Sequence, residues 1–63
     1  MWHIYINLIP NEKGQYEIHK ANCEKLADPM NRIYLGVMDN PKEAMEKGFK
    51  EQDNAVLCKK CWK

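Results

Sequence analysis

The sequence predicts an α+β domain: a small antiparallel sheet, built from an N-terminal hairpin and a third strand, with two short helices packed on it and one zinc ion as a staple. Three observations carry this expectation. Residues 2–9 alternate apolar and polar side chains, the period-two pattern of a half-buried strand. The segment opening at Asn40 has the punctuation of a capped amphipathic helix,. Three cysteines and one histidine fall into two close pairs, His19 with Cys23 and Cys58 with Cys61, the grouping of a metal site.

The elements follow in order. Trp2, Ile4, Ile6 and Leu8 fall on one face of the first strand, with His3, Tyr5 and Asn7 on the other. Pro10-Asn11-Glu12-Lys13-Gly14 is a turn signal, because proline presets its φ and Asn and Gly tolerate turn geometry. Gln15–His19 is a second strand, with Tyr16 and Ile18 facing one way, so the hairpin delivers His19. A short helix is expected over Ala21–Ala27, where Cys23, Leu26 and Ala27 share a face. Pro29 ends it by holding Asp28 extended. Ile33–Met38 reads as a third strand, nearly continuous in apolar residues and so expected to be covered on both faces. Gly36 within it suggests a bulge or a close backbone approach.

The clearest helix starts with Asn40 as N-cap, Pro41 in the first position and Glu43 in the third,. Its apolar stripe is Ala44, Met45, Gly48 and Phe49, with Gly48 either a C-cap or a packing point. Ala55-Val56-Leu57 leads into the cysteine turn.

Size explains why a staple is needed. A 63-residue chain is one domain, spanning 1–63. A chain of about 60 residues buries only roughly 60% of the surface it exposes when unfolded, and a core of that size rarely supplies more than about 3–5 kcal/mol. The composition, 44% hydrophobic and 30% charged, is that of a folded domain,. No apolar run approaches the roughly 20 residues of a membrane span, and no secretory signal pattern is present. The cytoplasm is therefore the expected compartment.

An odd cysteine count fits poorly with a closed disulfide framework. Cys58-Lys59-Lys60-Cys61 is a C-x2-C unit and His19-Lys20-Ala21-Asn22-Cys23 an H-x3-C unit. Ligands two to four residues apart reach one ion from a single turn, so each pair costs little chain entropy. Joining the two pairs closes a long loop whose cost grows only slowly with length. Three thiolates and one imidazole form a recurrent closed, tetrahedral structural zinc set. The expected ligands are His19, Cys23, Cys58 and Cys61. Two other readings stay open: plain buried or free thiols, and a redox role for Cys58 and Cys61. The second lacks the helix N-terminus that a thioredoxin-like pair uses. His3 is expected at the surface.

The pieces His19-x3-Cys23, Ala44-Met45-Glu46-Lys47-Gly48-Phe49 and Cys58-x2-Cys61, running from Tyr16 to Cys61, resemble the N-terminal metal-binding domain of the Ada DNA-repair family. The resemblance implies the metal site and the fold. In that family the first ligand is a cysteine whose thiolate accepts a methyl group from a DNA phosphotriester. Here His19 stands at that position, so the resemblance carries no methyl transfer. The family also runs from Gly-aromatic almost directly to C-x2-C, whereas Lys50–Leu57 intervene here.

Charge points to no particular partner. Ten basic and nine acidic residues give a formal +1, and the pI is about 7.7; a dedicated nucleic-acid binder usually shows a basic stripe or pI. The expected function is a non-catalytic, zinc-stapled module, structural or protein-interacting. Exposed apolar residues such as Trp2, Tyr5, Ile9 and Met30 would supply a contact patch, and the first strand an edge for self-association. The alternative is a nucleic-acid-binding module using Lys59, Lys60, Trp62 and Lys63 around the cysteine turn, with lysines on phosphates and the indole on a base. Trp62 packing over the metal site, and lysines that merely stabilise thiolates, are the plainer readings of the same residues. No Ser/His/Asp set, carboxylate pair or phosphate loop suggests an enzyme, and neither a membrane nor a small-molecule substrate is expected.

Overall fold

The computed structural model describes residues 1–62. It is α+β: a four-stranded mixed sheet carries one helix on one face, with a 3-10 turn at Pro29–Asn31. The strands are β1 (Trp2–Asn7), β2 (Tyr16–Lys20), β3 (Arg32–Met38) and β4 (Ala55–Leu57), and the helix is α1 (Pro41–Glu51). The sheet order is β3-β1-β2-β4.

The alternation in β1 sorts its side chains. Ile4 and Ile6 are fully buried beneath α1. β1 pairs antiparallel with β2 on one side (Ile6 opposite Ile18) and with β3 on the other (Ile6 opposite Ile33). It is therefore a central strand, and the expected self-association through its edge is corrected: both edges of β1 are already paired. Of the expected apolar face only Ile4 and Ile6 are buried; Trp2 and Leu8, at and beyond the ends of the paired stretch, are exposed, and Asn7 on the other face is buried.

Asn11 closes the hairpin. Its Oδ1 accepts from the backbone N–H groups of Lys13 and Gln15, both at 2.9 Å, the side-chain turn that Asn favours. Leu8 and Ile9 lie outside the strand and are exposed.

Two expectations about local structure fail for physical reasons. Ala21–Ala27 is not a helix but two successive turns, closed by Cys23 N–H to Lys20 C=O at 2.9 Å and Leu26 N–H to Cys23 C=O at 3.1 Å. A helix of two turns barely recovers its nucleation cost, and Pro29 leaves no room to lengthen it. β3 is not covered on both faces. It is an edge strand, with Tyr34 and Val37 about half exposed. Gly36 does mark a bulge: the β1–β3 register shifts between Ile4 and Tyr5, and Gly36 has φ +125°, a region that L-residues avoid.

The expected antiparallel sheet is a mixed one. Ala55–Leu57 pairs in parallel with β2, placing Leu57 opposite Ile18. Parallel pairing requires a crossover, and α1 supplies it.

α1 starts as its sequence predicts, with Asn40 Oδ1 accepting from Glu43 N–H at 2.8 Å and Pro41 in the first turn. Ala44 and Gly48 are its buried residues, whereas Phe49 stays half exposed. Gly48 is a packing point inside the helix, not its cap. A Cβ there would collide with Ile18 Cδ1 and lie 3.2 Å from Ala55 Cβ. Gly48→Ala should therefore lower stability by about 1–2 kcal/mol, the overpacking cost exceeding the gain in helix propensity. Urea denaturation would read this as a lower midpoint; a raised midpoint would show that Ile18 yields freely.

No helix among the described residues is long and apolar enough to cross a membrane.

Candidate metal centre

The site lies where β2, the turn after it and the segment after β4 converge. Alternation in β2 sends Ile18 toward α1 and His19 to the opposite face, and both are fully buried. The turns of residues 21–27 bring Cys23 back beside His19. β4 extends the parallel ladder by one bond, Cys58 N–H to Ile18 C=O at 3.1 Å, and this places Cys58 next to β2. The chain then turns tightly, Trp62 N–H donating to Cys58 C=O at 3.0 Å, which returns Cys61 to the same point. Cys23 thus reaches the cluster from a turn, where a helix was expected.

One ligand atom from each of His19, Cys23, Cys58 and Cys61 lies within 4.8 Å of all the others. The Cys23 and Cys58 sulfurs are 3.9 Å apart, and the Cys61 sulfur is 3.7 Å from His19 Nδ1. Tetrahedral zinc with bonds of about 2.0–2.3 Å has ligand–ligand edges of about 3.5–3.8 Å. These two edges are already close to that size. The Cys23 and Cys61 sulfurs are in direct contact, paired as in a disulfide, with Cα atoms 5.8 Å apart. Cys58 is then a free, buried thiol. A disulfide and a metal are alternative fates of the same two sulfurs. A disulfide alone uses two of the four groups; a metal accounts for the convergence of all four.

The histidine is set up as a ligand. Burial pushes its pKa below the usual value, the Glu17 carboxylate opposes that shift, and the Lys25 charge adds to it. The neutral imidazole, which alone can ligate, is favoured. Nδ1 faces the cysteines. Nε2 points away, 3.0 Å from Asn7 Nδ2 and 3.6 Å from Glu17 Oε1. Asn7 is held in turn, its Oδ1 accepting from Ala27 N–H at 3.1 Å, so it ties the covering 21–27 segment to β1. In this structure Nε2 accepts from Asn7 Nδ2. A metal on Nδ1 would move the ring proton to Nε2, so that the Asn7 amide would have to turn away and the Glu17 carboxylate would become the acceptor. Histidine ligands commonly lean on such a carboxylate. Glu17→Ala should weaken metal affinity about 10-fold in competition with a chelating indicator; unchanged affinity would leave Glu17 a bystander.

Asn7 and Glu17 were missed by sequence reasoning. The signal was present, because period-two alternation places Glu17 on the face of His19, and cross-strand register adds Asn7. Of the residues expected around the cysteine turn, Lys59 and Lys60 are exposed, and Lys60 lies 3.4 Å from the Glu24 carboxylate. Trp62 is half buried, packs against the core and donates its Nε1–H to Ile18 C=O at 3.0 Å. Lys63 lies outside the described residues. His3 is not part of the cluster; it lies at the surface, its Nδ1 2.8 Å from the Tyr34 hydroxyl.

Fold and site together define a small α+β domain with a three-cysteine, one-histidine cluster close enough to bind a metal ion. No family model, no curated protein and no solved structure matches this chain.

Proposed function

We propose that this chain is a non-catalytic module whose fold is held by one structural zinc ion on His19, Cys23, Cys58 and Cys61, and which presents a surface to a macromolecular partner. The convergence of four ligand atoms within 4.8 Å carries the reading. Three thiolates and an imidazole are the donor set zinc prefers, and four protein ligands leave no coordination position for water or substrate. The ion would serve the fold, not a reaction. It would also cancel the net charge: three thiolates and one divalent cation bring the formal +1 to zero.

The ligand spacing shared with the Ada metal-binding domain supports the same conclusion. The imidazole at His19, standing where that family has its methyl-accepting thiolate, argues for a purely structural ion. Metal binding would need all three cysteines reduced, the state that the cytoplasm favours.

Elemental analysis of the purified protein tests this, with His19→Ala and Cys61→Ser beside it. One zinc per chain, lost in both variants, is the expected result. A folded, metal-free protein would overturn the reading, and iron in place of zinc would overturn the identity of the ion.

A further inference from the structure

We propose that the open groove over the cysteine turn binds single-stranded nucleic acid, with Trp2 as the stacking face and Lys20, Lys59 and Lys60 as the phosphate contacts. The groove has a volume of about 680 Å³ and is walled by Trp2, Lys20, Asn22, Glu24, Lys59 and Lys60, with Cys23 and Cys61 also on its lining. Sequence separates these residues widely; the fold assembles them. Trp2 opens β1 and Lys20 ends β2, and the antiparallel register sets Lys20 opposite Ile4, on the same side as Trp2. The metal turn then swings Lys59 and Lys60 to the same mouth.

Three ammonium groups meet a single carboxylate here. That carboxylate, Glu24, and its partner Lys60 are 77% and 60% exposed, so water screens the pair and the groove keeps a net positive character. The wall is also aromatic. The Lys20 ammonium lies 3.8 Å from the ring centre of Trp2 and 4.7 Å from that of Trp62. The two indoles play different parts. Trp62 is anchored through Nε1 to Ile18 C=O and packs on the core, so it holds Lys20 from behind the groove. Trp2 is 41% exposed and has no such anchor among its described hydrogen bonds, so its ring is the one offered to a ligand. Lys20 covers that ring in the free protein. Pairing with a phosphate draws the ammonium outward and frees the indole for a base.

The chemistry favours nucleic acid over an acidic peptide. Carboxylates would answer the lysines, but nothing in such a peptide needs a flat, half-exposed indole beside them. A base with its flanking phosphates uses both. The second groove shares Lys59 and Lys60 and has a similar excess of lysines over carboxylates, but it carries no aromatic wall, so the indole is what singles out the first.

This inference rests on the zinc reading, because the metal turn places Lys59 and Lys60. Metal content is therefore measured on every sample, so that loss of the turn and failure of the groove are told apart. The experiment is fluorescence anisotropy of the metal-loaded protein with labelled oligo-dT, an abasic oligomer carrying the same phosphates, and polyglutamate. Oligo-dT should bind with a log–log salt slope of about −2, as three phosphate contacts on a single strand give. The abasic oligomer should bind about 10-fold more weakly. Trp2→Ala should lose that difference, and Trp2→Phe should keep part of it. Lys59→Ala with Lys60→Ala should flatten the slope while leaving metal content unchanged. Equal affinity for the abasic oligomer, tighter binding of polyglutamate, or no binding by a metal-loaded protein would each overturn the proposal.

Discussion

A strong zinc chelator should unfold this protein at neutral pH in the presence of a thiol reductant, with loss of both its near-UV signal and its cooperative melting transition. The argument is one of magnitudes. A core this small supplies about 3–5 kcal/mol, while structural zinc in comparable peptides contributes an apparent 10–16 kcal/mol. The seven buried apolar residues among the described residues, Cys58 included, cannot replace a contribution of that size. The location of the ligands sharpens the point. Cys58 and Cys61 hold the chain after β4, a strand of only three residues, and without the ion His19 is left neutral and buried beside three thiols.

The disulfide between Cys23 and Cys61 makes the opposite forecast, so the same two reagents separate the states. If the disulfide is the staple, reductant alone unfolds the protein and the chelator does nothing. If the metal is the staple, reductant alone leaves the melting transition in place. Intact mass adds a third reading, since a disulfide lowers it by two hydrogens. Acidification should act as the chelator does. Protons compete with the metal for thiolates and imidazole, so the ion should be lost as the pH falls.

Ile18→Ala should cost about 2–5 kcal/mol, the usual loss for truncating a buried isoleucine. Ile18 is fully buried, lies against Gly48 of α1, and sits between the core and the site. Its carbonyl accepts from Cys58 N–H and from Trp62 Nε1–H, and its neighbour in the chain is His19. The variant should still take up one metal ion, because those two bonds use the backbone. It should melt at a markedly lower temperature, and its metal-free form should have no cooperative transition. A metal-loaded variant with an unchanged melting temperature would show that the ion alone sets the stability of this fold.

Much of this was legible in the chain. Alternation in residues 2–9 gave a buried Ile4 and Ile6; Asn40-Pro41 with Glu43 gave the start of α1 to the residue; the close spacing of His19 with Cys23 and Cys58 with Cys61 gave the four ligands that the fold brings together. These are local signals, each set by the geometry of a few consecutive peptide units. The failures share a different cause. The Ala21–Ala27 segment had the spacing of a helix face, but a segment that short follows its ligand and its cover, not its propensity. Ala55–Val56–Leu57 had no pattern long enough to declare its direction, and only the crossover by α1 made it a parallel partner of β2. β3 was apolar enough for an interior strand, yet nothing in its own residues says that β1 takes the middle position.

The sequence by itself determined which four groups could share a metal, the helix cap, and that Gly36 marks a bulge or a close approach. Each depends on residue type and on neighbours within a few positions. Only the tertiary structure decided strand order, the parallel edge, the carboxylate behind His19 and the meeting of Trp2 with Lys20, Lys59 and Lys60. Those depend on which distant segments share a sheet edge or a loop mouth, and a contact between residues far apart in the chain leaves no local mark on either of them.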